Sequence, residues 1–92
     1  MVNALIINNK DNVAVAIEKI DKGTEINCKL KDGSIIKVDA KDDIQIYHKV
    51  ATKDITRDCK VMKYGQYIGV AADDIKKGEH VHEHNVISKR EN

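Results

Sequence analysis

The pattern that most constrains this chain is a twelve-residue unit occurring three times. Aligning Val15-Ala16, Val50-Ala51 and Val70-Ala71 places an isoleucine five positions after each valine (Ile20, Ile55, Ile75). A turn-forming residue follows eight positions after it (Gly23, Asp58, Gly78), and a β-branched aliphatic eleven after it (Ile26, Val61, Val81). The spacing predicts, in each copy, a strand, a short helical turn, a tight turn and another strand. The turn position calls for positive φ, which glycine supplies at no steric cost and aspartate tolerates. Asp54 and Asp74 stand directly before their isoleucines, where a carboxylate can accept bonds from nearby backbone amides. All these positions read as architecture rather than chemistry.

The rest of the chain agrees with a β fold. Valine and isoleucine recur in short stretches, proline, phenylalanine and tryptophan are absent, and no window sustains a helical apolar stripe over three turns. β-Branched side chains in short runs suit a pleated surface. Strands are predicted over Ala4 to Ile7, Val13 to Ile17, Glu25 to Leu30 and Ile35 to Val38, with another beginning at Ile44 to Tyr47. Asn8 to Asn12 and Lys41-Asp42-Asp43 read as polar turns. In Glu25 to Leu30 the residues Ile26, Cys28 and Leu30 share one face. Asp32-Gly33, between two strand-like runs, is a strong hairpin signal. With 92 residues and no linker or low-complexity tract, the expectation is a single mostly β domain with short one-turn helices.

Charge and composition exclude some functions. Residues 1–46 hold 7 basic and 8 acidic residues, and residues 47–92 hold 9 and 7. Neither half offers a basic field for phosphate backbones, and three tyrosines are the only aromatics, so nucleic-acid binding is not expected. No apolar run is long enough to span a membrane and the amino terminus lacks a basic leader, so a cytoplasmic protein without membrane association is expected. Cys28 and Cys59 form no Cys-x-x-Cys pair; in a reducing compartment they read as small, buried or half-buried apolar residues rather than metal ligands.

The last copy of the unit runs into His80-Val81-His82-Glu83-His84-Asn85, which holds three of the four histidines. Continued strand alternation would put His80, His82 and His84 on one face, with Val81 and Glu83 on the other. A His-x-His pair on a strand can converge on one ion, whereas three in a row cannot share a tetrahedral ion unless the strand bends. Two ligands and a third imidazole serving as acid/base or substrate donor is the better reading. Asn85 adds an amide that both donates and accepts. His48 opens the second copy, and pairing between copies would bring it to the other histidines.

Taken together, His48-Lys49-Val50-Ala51, Lys63-Tyr64-Gly65 with Ile68-Gly69, and Asp74-Ile75 with Lys77-Gly78-Glu79-His80-Val81-His82-Glu83-His84-Asn85 resemble the amino-terminal SAF domain of the altronate and galactarate dehydratase family, over roughly residues 3–87. The resemblance implies a β-clip fold, in which a long hairpin folds over itself. In that family the domain accompanies a large catalytic region that removes water from a sugar acid. Here that region is absent, which implies a stand-alone small subunit working with a large dehydratase subunit. The family implies a divalent metal, iron(II) or manganese(II); imidazole ligands would equally suit zinc. On this reading His82 and His84 are the catalytic and metal-ligating candidates, and His48, Lys49, His80 and Asn85 the substrate-binding ones.

The small subunit of sulfolactate sulfo-lyase shares this organisation and eliminates sulfite instead of water. SAF-like domains also serve as carbohydrate-binding or assembly modules without catalysis. Exposed edges in a small β domain favour pairing with a partner or with itself.

Overall fold

In the computed structural model, which describes residues 1–89, nine strands form two sheets. They are β1 (Ala4–Leu5), β2 (Val13–Ala16), β3 (Glu25–Lys29), β4 (Ile35–Asp39), β5 (Lys49–Ala51), β6 (Lys60–Lys63), β7 (Gln66–Ala71), β8 (His80–Val81) and β9 (Val86–Ile87). The larger sheet has the order β4-β3-β1-β2-β5-β8, and β6-β7-β9 form the smaller one. Pairing is antiparallel except between β1 and β3.

The repeat explains this arrangement, and the structure adds a copy to it. Ile44, Tyr47 and Val50 occupy the isoleucine, turn and closing positions of a fourth unit that follows Ala40. Two pairs of units exchange identical backbone bonds. Ile20 and Ile44 donate to each other's carbonyls at 2.9 and 2.8 Å, and Ile55 and Ile75 do the same at 2.8 Å both ways. The turn residue of each unit donates to the alanine carbonyl of its mate: Gly23 to Ala40, Tyr47 to Ala16, Asp58 to Ala71 and Gly78 to Ala51. All four turn residues have positive φ, between 69° at Tyr47 and 94° at Gly78. At Gly78 a side chain is also barred by space, since a Cβ would lie 2.0 Å from the Asp39 carbonyl oxygen.

The aspartates before the isoleucines act across the pair, not locally. Asp54 accepts from the Lys77 amide, Asp74 from Arg57 and Asp43 from Lys22, at 2.9, 2.9 and 2.8 Å. The fourth such position is Lys19, which has no acceptor to offer.

Two expectations are corrected here. The described residues contain no helix, so the short one-turn helices are absent. Each isoleucine is drawn into an extended bridge with its mate, and the positive-φ residue three positions later ends the turn after a single bond of the Thr24-to-Asp21 kind. One such bond does not nucleate a helix. Likewise, Ile44 to Tyr47 does not begin a strand: Ile44 makes the bridge, Tyr47 turns the chain, and the strand starts at Lys49. The predicted hairpin is present, with Gly33 at φ 92° and the Asp32 carboxylate accepting from the Ser34 amide and hydroxyl.

β2 and β5 are buried on both faces because they form the wall between two apolar clusters. Ala14, Ala16 and Val50 face one, with Ile20, Ile26, Cys28, Val38 and Ile44. Val13 and Ala51 face the other, with Ile55, Val61, Ala71, Ile75 and Val81. Alternation along a strand sends successive side chains into different clusters, which is why small alanines recur there.

A buried acid, Asp11, ties the second sheet to this wall. It is 5% exposed, and its carboxylate accepts from the amides of Asn8, Tyr64 and Gly65 at 3.1, 3.0 and 2.7 Å. Tyr64 and Gly65 both have positive φ and form the two-residue loop between β6 and β7. Asn12 continues the link through the Met62 amide and the Lys60 carbonyl.

Asp11→Ala would strand these donors, and urea denaturation should show a loss of roughly 3 kcal/mol; an unchanged midpoint would contradict the clamp. Cys28 is buried and its thiol is pushed up to about 11 by that burial, whereas Cys59 is exposed. A thiol reagent should therefore label Cys59 rapidly in the native protein and Cys28 only on unfolding.

Candidate metal centre

The pairing of β5 with β8 sets Val50 opposite His80 and Lys49 opposite Val81. It thereby brings His48, just before β5, beside His80. Nδ1 of His48 lies 2.8 Å from Nε2 of His80, so one ring donates and the other accepts. The backbone amide of His80 donates to the Asp42 carboxylate at 2.9 Å, which fixes the start of β8.

Regular alternation ends at Val81, and residues 82–85 form a turn. Asn85 makes that turn: its Oδ1 accepts from the His82 amide at 2.9 Å and its Nδ2 donates to the His80 carbonyl at 2.8 Å. The bend stacks the His82 ring on His48, with centroids 4.2 Å apart and planes 9° off parallel. His80 and His82 rings lie 5.6 Å apart.

Donor nitrogens of His48, His80 and His82 all lie within 4.8 Å of one another, and the three side chains are partly buried. Nδ1 of His82 is buried with no hydrogen-bond partner. An orphaned nitrogen among converging imidazoles fits a divalent cation, which would supply the missing partner. His48, His80 and His82 would hold the ion.

The predicted site residues are thus distributed unequally. His80 and His82 are together, as alternation suggested, but a bend rather than a straight strand unites them. His48 joins them through the pairing of copies. His84 is exposed, tilted 34° to His80 with centroids 5.1 Å apart, and stands outside the three-nitrogen group. The Asn85 amide is spent on the turn. Lys49 lies beside His48 and is partly buried. Sequence reasoning missed Asp42, which looked like one of several solvated acids in a charged turn.

Burial and neighbouring charges favour the neutral form at two of these imidazoles, His48 and His80. Partial burial, then His82 and Lys49, push His48 below the ordinary imidazole value of 6.5. Burial and the neighbouring His84, His48 and His82 push His80 the same way, against an opposing pull from Asp42. Neutral imidazoles present the lone pairs that a cation needs.

Comparison with known proteins agrees with this anatomy. Residues 2–89 match the family model described as the altronate/galactarate dehydratase SAF domain. The chain belongs to this family. It is 38% identical over 79 residues to an altronate dehydratase of Bacillus subtilis (strain 168), and 40% over 79 residues to one of Escherichia coli (strain K12). Each alignment takes in 86% of this chain but 15% of the relative, so the SAF chain spans only a small part of those enzymes. A third relative, (2R)-sulfolactate sulfo-lyase subunit alpha of Chromohalobacter salexigens, is 34% identical over 88 residues, covering 92% of this chain and 94% of the relative. None of the described residues forms a helix long and apolar enough to cross a membrane.

Because His48 and His80 titrate lower when folded than when unfolded, protonation favours the unfolded chain. Their contribution is present above the ordinary value of 6.5 and is lost as pH falls through it toward the folded values. The melting temperature of the metal-free protein should fall on acidification below pH 6.5, less steeply in a His48→Gln, His80→Gln variant. Parallel melting curves for the two proteins would refute the assignment.

Proposed function

We propose that this SAF chain is the small subunit of a two-subunit lyase that dehydrates a sugar acid such as altronate. The observation that carries the reading is the three-imidazole group with its unpartnered His82 nitrogen. Family membership and the resemblance to altronate dehydratases support the reaction class. His48, His80 and His82 would hold a divalent ion, iron(II) or manganese(II) by family, with zinc also suited to imidazole. When bound, the ion supplies Lewis-acid stabilisation to an enediolate-like charge next to the substrate carboxylate.

The remaining work falls to side chains. His84 is exposed beside His80 and is placed to hold or deliver a proton to the departing hydroxyl. Asn85 acts as a positioning residue, because its amide sets the bend that turns His82 onto His48. Lys49 biases the site toward acids. The base that abstracts the substrate proton belongs to a large dehydratase subunit, so the substrate is enclosed between the two chains.

One observation favours a second reading. The sulfo-lyase subunit alpha matches this chain along nearly its whole length, which suits a subunit of the same size in an enzyme releasing sulfite from (2R)-sulfolactate. Co-purification with the large subunit followed by a substrate panel separates the two: dehydration of altronate supports the first, and sulfite release supports the second. Turnover of neither would leave the SAF chain as a binding or assembly module.

In the reconstituted complex, His82→Ala should lower turnover by at least about a hundredfold and reduce bound metal, with the fold retained by circular dichroism. Retained turnover would sink the assignment of His82. The isolated chain should be inactive, and turnover by it alone would show that it carries a complete site.

A further inference from the structure

Four residues perform one task in the paired units. Gly23, Tyr47, Asp58 and Gly78 each donate to the mate's alanine carbonyl from positive φ. Glycine does this without strain, and aspartate tolerates it. Lack of space does not explain every glycine: at Gly23 an added Cβ would meet nothing within 4 Å, yet no side chain is present. Tyr47 is the exception among the four. A bulky residue at φ 69° is strained, and nothing in the turn calls for an aromatic ring.

That ring also adds little to the fold. Tyr47 is 71% exposed, and among the described residues its hydroxyl makes no hydrogen bond and its ring no aromatic or cation contact. Ile46 beside it is 45% exposed. The backbone around the pair is fixed. Tyr47 donates to the Ala16 carbonyl at 2.7 Å, His48 donates to Gln45 at 3.0 Å, and Ala16 donates back to His48 at 2.9 Å. Strain held by surrounding structure is a reason to look for function. An exposed aromatic on a rigid turn leaves little backbone to order on binding, and tyrosine is among the residues that anchor protein interfaces.

The position of the turn selects the partner. The next residue is His48, whose donor nitrogen lies within 4.8 Å of those of His80 and His82. A chain that closes over these imidazoles passes beside the turn that carries His48. The SAF chain matches only 15% of each altronate dehydratase, and a relative of its own size is a subunit alpha. We infer that Tyr47, with Ile46, is the anchor on which the large subunit docks beside the histidine site. This rests on the two-subunit reading above. The surface it fits is an apolar recess with a polar group placed to meet the phenol hydroxyl.

The test uses Tyr47→Asn and Tyr47→Gly, both compatible with positive φ. Association of the full chain with its co-purified large subunit should weaken roughly thirtyfold in each. Relief of strain should leave the melting temperature of the isolated Asn variant equal to or above that of the parent. Zinc binding by the isolated variants should be unchanged, which separates a lost contact from a displaced His48. Undiminished association in both variants would remove the anchor and leave the two-subunit reading standing. Lower melting temperatures in both would make Tyr47 architectural, and zinc binding that falls with association would assign the effect to His48; either overturns the inference. Failure of the parent chain to associate would remove the two-subunit reading, and the anchor with it.

Discussion

The reciprocal bonding of paired units underlies everything else in this molecule. Each isoleucine bridges its mate, each positive-φ residue donates to the mate's alanine carbonyl, and three aspartates cap the mate's backbone. These bonds join residues from 13 positions apart (Asp58 and Ala71) to 31 apart (Tyr47 and Ala16), so neither member of a pair satisfies its backbone alone. The consequence is a fold in which very short strands suffice. A two-residue strand such as β8 (His80–Val81) is held less by its own ladder than by the bridge and turn that precede it.

That economy positions the histidines. β8 is delivered to β5 by the Gly78 turn, and β5 is delivered to β2 by the Tyr47 turn. His48 and His80 therefore meet because two different unit pairs share β5. The bend after Val81 then uses the Asn85 amide to turn His82 inward, where a continued strand would have carried it onward. A cluster of imidazoles on a small domain thus rests on backbone geometry that is over-determined at each step, and burial first, then neighbouring charges, pushes His48 and His80 below the ordinary imidazole value.

Legibility differed between fold and site for physical reasons. The repeat was visible because Val, Ile and Gly at fixed offsets report burial and positive φ directly. Its fourth copy was hidden: Asp39 stands where the other units have valine, and Tyr47 occupies a turn position at which a bulky side chain is unexpected. The helical turns were misjudged because a spacing of three to four residues fits both a helix and a bridge followed by a turn. Cys59 is exposed rather than buried, since its position after the turn residue faces outward in this copy. Asp11 and Asp42 carry no mark in the sequence, because what distinguishes them is which distant amides they meet.

By itself, the sequence determined the β class, the repeated unit, the positive-φ turns and the concentration of imidazoles in one segment. These follow from local stereochemistry and from the spacing of apolar residues. Only the tertiary structure decided which imidazoles act together. His84 lies in the same segment yet stands outside the group, while His48, 32 residues from His80, is within it. The reason is that membership depends on the register between β5 and β8 and on one bend after Val81. Both are set by long-range backbone bonds that no local pattern encodes.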